Sequence, residues 1–491
     1  MKKLKSGSPD FPEAWRGLCA RGSEDDETQV REVAARIVAD VRRRGDAALI
    51  EHTRTLDGWS PASAADLALG PDAFARAYRS LPAEGRRALD VAAKRIAEFH
   101  ERESDAEVRS FTDGAGATLA QVVRPLSRVG LYVPGGTARY PSSVLMTAVP
   151  ARVAGVGEVV VVSPGVHGTG EMDAWTLAAC HVSRVARLLR VGGAQAIAAL
   201  AYGTETIAAV DKICGPGNAY VAAAKRLVYG RVDIDMVAGP SEILVLADGA
   251  ADPAEVASDL LAQAEHDVRA VAVLVTPSAR LAERTAAEVE RQLAALPRAD
   301  IARRSLAERG AVVVAQGLAE AVRLADEFAP EHLALHVADA ARLVPRIARA
   351  GAVFVGRSTP EAVGDYLAGP SHVLPTAGTA RFASPLSVAT FRRRMSVLEL
   401  SSRALAGLAP AVEALARAEG LEGHWRAVAA RLGGEGGPSE AGGRAKPSAA
   451  GQPRAAAKRR ARRRAPRSRG GAQTAPPAGR GRSPRVTRRV A

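Results

Sequence analysis

The chain has 491 residues, 47% of them hydrophobic, which is enough to bury a large core and to divide into two or more domains. Its formal charge of +14 suggests a polyanion partner, yet 16 of the 67 Lys and Arg lie from Arg444 onward, where there is no Asp or Glu. The remaining 51 basic residues face 53 acidic ones, so the basic character belongs to a tail and says little about the body.

The N-terminal stretch "MKKLKSGSPDFPEAW" starts basic but has no apolar run of the signal-peptide kind. Val30, Val33, Ile37 and Val41 recur at helical spacing, and Gly45-Asp46 breaks the run before a second helix from Ala47. More helix is expected over "AEGRRALDVAAKRIAEFHERE". From about residue 120 short apolar runs alternate with helical stretches: "EVVVV", "RLLRV", "EILVLAD", "AVAVLV", "AVVVA", "LALHV" and "AVFVG". Continuous apolar strands separated by helices imply parallel sheets covered on both faces, with ligands bound at the carboxyl ends of the strands. Beyond Leu432 periodicity and large apolar residues vanish, and a disordered tail is expected. No apolar run approaches the ~18 residues that span a bilayer. Cys19, Cys180 and Cys214 include no CxxC pair, which argues against a disulfide framework and for a reducing compartment. The expectation is a soluble, cytoplasmic protein.

Polar clusters stand at several strand ends. "VGLYVPGGTARYP" (129–141), "RVGGAQAIAAL" (190–200) and "DKICGPGNAY" (211–220) are glycine-rich strand–helix junctions suited to close approach by a nucleotide or phosphate. None is a dinucleotide fingerprint or a phosphate loop. "SDLLAQAEHD" (258–267) reads as the last turns of a helix whose start lies upstream, where Asp252, Pro253 and Glu255 read as an N-cap, a first-turn proline and a capping-box glutamate. Asp259, Gln263 and His266 share one polar edge of that helix. Two readings stay open there: a satisfied amide with a histidine favoured by the helix C-terminus, or a ligand edge. Glu331-His332 lead into a strand and pair a carboxylate with an imidazole that can carry a proton near neutral pH. Asp365 and His372 sit in a Gly/Pro-rich loop, and Glu419 and His424 end the body. Gln263, His266, Asp365 and His424 together would make an open N/O site for zinc or manganese.

"GLYVPGG", "GGAQAIAALAYGTE", "KICGPGN", "DMVAGPSEILVLAD", "DLLAQAEHD", "APEHL", "GDYLAGPSHVLPT" and "EGLEGH", in this order over residues 25–432, resemble the histidinol dehydrogenase family. The resemblance implies oxidation of L-histidinol through the aldehyde to L-histidine with two NAD+. It implies one Zn2+ per subunit on Gln263, His266, Asp365 and His424, with His332 as general base and Glu331 activating water. Gln263, His266, His332, Asp365 and His424 would also meet substrate, joined by Ser241, His372 and Glu419. Tyr132, Gln195 and Asn218 would meet NAD.

The implied fold is α/β, with two Rossmann-like three-layer α/β/α domains of the aldehyde-dehydrogenase kind and small helical terminal segments. Residues 1–24 are expected as an N-terminal segment. Residues 25–131 with 242–386 would form the metal-bearing domain and 132–241 the NAD-binding one. Residues 387–432 would be a helical dimerisation segment that carries Glu419 and His424 into a partner's site, and 433–491 a disordered Arg-rich tail. Gly423 stands where the family usually has alanine. Cys214, beside the NAD loop, is expected to be structural. Two rivals are a relative that oxidises another small alcohol and a nucleic-acid binder driven by the tail. Ser241, His372 and Glu419 favour histidinol, and a tail without Phe, Tyr or Trp is expected to give weak polyanion binding at most.

Overall fold

The computed structural model describes residues 1–21, 28–103, 108–135 and 139–433; the tail expected to be disordered lies, from residue 434, outside the described residues. One wholly parallel sheet runs in the order Lys2–Lys5, Ala311–Val314, Val271–Thr276, Glu242–Ala247, His332–His336, Ala352–Val355. Its central strands EILVLA and VAVLVT are buried at every position, as strands covered on both faces must be. Successive side chains divide between two cores. Leu244, Leu246, Val273 and Val275 join Trp15 and Phe328, while Ile243, Val245, Ala272 and Leu274 join Val256, Leu260 and Leu281. The result is a three-layer α/β/α domain.

A second sheet runs Ala68–Leu69, Arg187–Leu189, Glu158–Val162, Arg128–Tyr132, Lys212–Cys214, Asp233–Ile234, and is parallel apart from its short first strand. It splits in the same way. Val129, Leu131 and Val161 pack with Phe74, Leu89 and Ile96, whereas Tyr132, Val160 and Val162 pack with Ile37, Ile197 and Val221. With the edge strands Lys2–Lys5 and Ala68–Leu69 set aside, each sheet has the strand order 3-2-1-4-5 and a reversal beside its first strand.

Several expected boundaries move. The helices Thr28–Arg44, Asp46–Leu56, Pro71–Ser80 and Ala83–His100 were assigned with the metal-bearing domain, but they cover the second sheet. Arg128–Tyr132 is that sheet's central strand and not the end of the other domain. A helical repeat reveals that a helix has an inward face; it does not say which sheet that face meets. The described part of residues 1–24 is no separate segment either. Lys2–Lys5 extends the first sheet, and Phe11, Trp15 and Leu18 are buried in its core.

The segment 387–432, expected to be helical, contains the strand Arg392–Leu400. It pairs antiparallel with Ala117–Pro125, which pairs in turn with Val108–Thr112. Eight of its nine residues are exposed, so it carries no alternating apolar signal to be read. The helices Ser402–Ala418 and Glu422–Leu432 follow, and the second buries none of its residues. No helix among the described residues is long and apolar enough to cross a membrane.

Candidate active site

Between the two sheets lies a cleft of ≈1280 Å³. From the second domain it is lined by the loops that follow the carboxyl ends of the strands, among them Tyr132, Gly193, Gln195, Gly217 and Asn218. From the first domain the lining comes from the opposite, amino ends. Ser241 precedes Glu242–Ala247, His266 precedes Val271–Thr276, and Glu331-His332 open His332–His336. Only the second domain's wall therefore obeys the carboxyl-end expectation.

The helix Pro253–Ala264 starts as its sequence indicates, with the Asp252 carboxylate accepting from the Ala254 amide at 2.9 Å. Glu255 closes no capping box there and instead pairs with Arg357 at 2.6 Å. Val256, Leu260 and Leu261 anchor the helix in the core and so aim Asp259 and Gln263 inward. Asp259 meets His336 Nε2 at 2.8 Å, a buried tie between this helix and the strand His332–His336. Gln263 is 1% exposed, and its Oε1 has no hydrogen-bond donor among the described residues. The chain turns out of the helix at Glu265 and leaves His266 Nε2 at 3.9 Å from Asp365 Oδ2.

Asp365 sits on a one-and-a-half-turn helix, Glu361–Tyr366, within the stretch expected to be loop. Its Oδ1 lies 3.5 Å from His372 Nδ1, and His372 Nε2 in turn reaches Ser143 Oγ at 3.5 Å. Burial pushes the Asp365 carboxyl up, but His372 and the neighbouring imidazoles outweigh it and hold the group below its usual range. One turn earlier Glu361 is 2% exposed, its Oε1 is unpartnered among the described residues and lies 3.6 Å from His332 Nε2. Burial, with Asp365 and Asp259 nearby, pushes this carboxyl up to about 8.

The buried His332 donates from Nδ1 to the Glu242 carbonyl at 3.0 Å, which leaves Nε2 with a free lone pair facing the cluster. Burial pushes its imidazole down to about 4, so the neutral form prevails near pH 7. Glu331 is also buried; its Oε2 accepts from the Glu242 amide at 2.8 Å, and burial raises its carboxyl well above the ordinary range.

The sequence-derived site residues thus fall into two groups. Gln263, His266, His332, Asp365, His372, Ser241 and Glu331 converge on one wall of the cleft, with Tyr132, Gln195 and Asn218 on the other. Glu419 and His424 are exposed and do not line this chain's cleft. On the second wall, Tyr132 Oη accepts from the Gly193 amide at 3.2 Å, and burial pushes its phenol up to about 12. Gln195 is fully buried with both amide atoms unpartnered among the described residues. Asn218 Oδ1 caps the helix Ala219–Val228 by accepting from Val221 at 3.1 Å. Cys214 is fully buried, its thiol raised far above the usual value, and it does not line the cleft.

Two donor sets share Asp365. One is Gln263, His266 and Asp365. The other is His332, Glu361 and Asp365, whose ligand atoms lie within 4.8 Å of one another. A buried carboxamide oxygen without a donor among the described residues, lining the same cleft as two carboxyl groups and three imidazoles, is a poor apolar core and suits a divalent cation. The residues present therefore fit a metal. Glu361 was not singled out from the sequence, although its position four residues before Asp365, just after Pro360, puts both on one helical face.

These features define a two-domain α/β enzyme in which a cation-fitting cluster bearing a neutral histidine faces a wall of glycine-rich turns. Comparison with known proteins gives the family. Residues 20–432 match the histidinol dehydrogenase profile, and the chain belongs to that family. It is 51% identical over 436 residues to the histidinol dehydrogenase of Geobacter metallireducens, covering 89% of this chain and 99% of that one. The enzyme of Chromobacterium violaceum is 51% identical over 434 residues, covering 88% and 99%. Among solved structures, histidinol dehydrogenase from Elizabethkingia anophelis superposes with a TM-score of 0.82 at 32% identity, covering 88% of this chain and 98% of that one. The chain is accordingly an oxidoreductase, and its family's name implies histidinol as substrate in histidine biosynthesis.

Proposed function

We propose that this chain oxidises L-histidinol to L-histidine in two steps, passing one hydride to NAD+ in each. The observation that carries the reading is the pairing, across one cleft, of a neutral, oriented His332 with glycine-rich turns at the carboxyl ends of the second sheet. His332 Nε2 takes the hydroxyl proton as hydride leaves the substrate carbon. Glu331 takes a proton from the water that adds to the aldehyde, and the proton affinity given by burial suits it to that task. As water adds, the aldehyde oxygen takes the first proton back from His332 Nε2, which is then free to take a hydroxyl proton of the hydrated aldehyde as the second hydride leaves.

Gln263, His266 and Asp365, with His424 from a second copy of the chain, would hold zinc; when bound, zinc supplies a fixed positive template for the substrate's nitrogen atoms. Tyr132, Gln195 and Asn218 would hold NAD+, which supplies the hydride acceptor. Ser241, His372 and Glu419, the last also from a second copy, orient the substrate. This assignment leaves His332 free to act as base, which the alternative set of His332, Glu361 and Asp365 does not. The exposed positions of Glu419 and His424 suit an arm that completes a neighbour's site.

The test is the yield of NADH per L-histidinol under limiting substrate, with and without a zinc chelator. Two NADH with histidine as product, lost on chelation, is expected. One NADH would break the assignment of Glu331, and none from zinc-loaded enzyme would refute histidinol as substrate.

A further inference from the structure

Both members of the Glu331–His332 dyad are held by one residue. The Glu242 amide donates to Glu331 Oε2 at 2.8 Å, and the Glu242 carbonyl accepts from His332 Nδ1 at 3.0 Å. The backbone of Glu242 is thus the seat of the dyad, and its side chain is itself 1% exposed. An isolated carboxylate at such a depth would be expelled or neutralised, so its partners decide whether the seat is rigid.

Its partners include a guanidinium and the backbone of the turn at 377–378. Arg21, from the N-terminal segment, donates from Nε to Glu242 Oε2, and the Ala377 amide donates to Oε1 at 2.6 Å. Arg21 is in turn fixed on every side. Its Nη2 donates to the Phe328 carbonyl at 2.7 Å, and its guanidinium lies 3.4 Å from the centroid of the Phe328 ring. The side chain of Arg21 is only 6% exposed.

The backbone around this pair is strained in a telling way. Among the described residues three non-glycine residues have positive φ, and two of them, Ala329 at 48° and Ala377 at 53°, flank the pair. Alanine in the left-handed region costs free energy and persists where neighbouring contacts over-determine the backbone. Ala329 leads through Pro330 into the dyad, and Ala377 supplies the amide that grips Glu242. Thr376 Oγ1 also accepts from the Gly239 amide at 2.6 Å, which ties the same turn to the loop that runs through Ser241 into the strand Glu242–Ala247.

We propose that Arg21 and Glu242 are positioning residues for the dyad, and that the N-terminal segment is a working part of the catalytic wall. Neither touches substrate. The ion pair neutralises a carboxylate beneath the site and locks three chain segments, 239–242, 329–332 and 376–377, in one register. The inference rests on the proposed function only in taking histidinol turnover as its readout.

The test uses the zinc-loaded full chain and the variants Arg21→Met, Arg21→Lys, Glu242→Gln and the double variant Arg21→Met/Glu242→Met. Arg21→Met is expected to lower kcat by about 10- to 100-fold, the scale of a small misplacement of catalytic groups, while KM for L-histidinol and zinc content stay within about threefold of wild type. Arg21→Lys, which keeps the charge but not the fork, is expected to recover part of kcat. The double variant replaces the pair with apolar side chains, so its melting temperature is expected to recover while kcat does not. Recovery of kcat together with stability, or wild-type kcat in Arg21→Met, would overturn the proposal. If Arg21→Met does not fold, Arg21→Lys and Glu242→Gln carry the same comparison. A second readout needs no turnover: amide exchange at Glu242 and Ala377 in Arg21→Lys is expected to quicken by about tenfold, and unchanged exchange would overturn the proposal. An inactive wild type would refute the proposed function and leave amide exchange to decide the positioning role.

Discussion

Gln263→Met is expected to change stability in opposite directions with and without metal. Gln263 is 1% exposed, and its Oε1 lacks a donor among the described residues. In the metal-free protein that oxygen is a buried acceptor left unmade, which costs about 1–3 kcal/mol. Methionine has nearly the same length and volume and no such oxygen, so metal-free Gln263→Met should be more stable by about 1–2 kcal/mol. With zinc the sign reverses. Free zinc at 100 times its Kd stabilises the wild type by about 2.7 kcal/mol. If loss of one ligand weakens binding by about 100-fold, the same zinc concentration stabilises the variant by only about 0.4 kcal/mol. The assay is urea unfolding at one protein concentration, with EDTA and with buffered zinc. A metal-free variant less stable than wild type, or one that keeps the whole zinc increment, would refute the argument that this amide oxygen is kept for a metal.

The other expectations concern the cluster and the arm. Glu361→Gln should keep zinc at wild-type stoichiometry, because the assigned ligands are Gln263, His266, Asp365 and a second subunit's His424; loss of zinc in metal analysis would favour the His332, Glu361 and Asp365 set. In the metal-free protein His332 is held down to about 4 against 6.5, so the unfolded chain binds its proton first. Stability should therefore fall as pH drops from about 6.5 toward 4, by up to about 3 kcal/mol from this group, with no contribution above that window. His332→Asn should lose that slope, and parallel stability curves for the two proteins would count against it. Mixing inactive His424→Ala with inactive His332→Ala should restore about a quarter of wild-type activity, since half of the random dimers would carry one intact shared site. No recovery after proven subunit exchange would mean that each chain builds its site alone.

The strands were legible because a parallel sheet covered on both faces needs unbroken apolar runs, and "EILVLA" and "VAVLVT" carry them without a polar interruption. The helices were legible from their inward stripes, as at Val33, Ile37 and Val41, but the sheet each stripe covers was not. The exposed strand Arg392–Leu400 left no pattern because neither of its faces is buried against a core. Glu361 was missed because the Gly/Pro-rich stretch around it reads as a loop, where a four-residue spacing to Asp365 implies no shared face; the short helix Glu361–Tyr366 gives it one.

Residue types and motif order by themselves determined the α/β class, the glycine-rich turns and the identity of the polar residues available for chemistry, since these depend on local periodicity and on chemical groups fixed by the chain. Tertiary structure decided what those groups can do. It brought Gln263, His332 and Asp365 to one cleft from three separate elements and left Glu419 and His424 outside this chain's cleft. It also set Arg21 beneath the dyad, across a sequence separation of 221 residues from Glu242. Burial raises or lowers each group's proton affinity only once a fold has removed water from around it, and no local pattern encodes that removal.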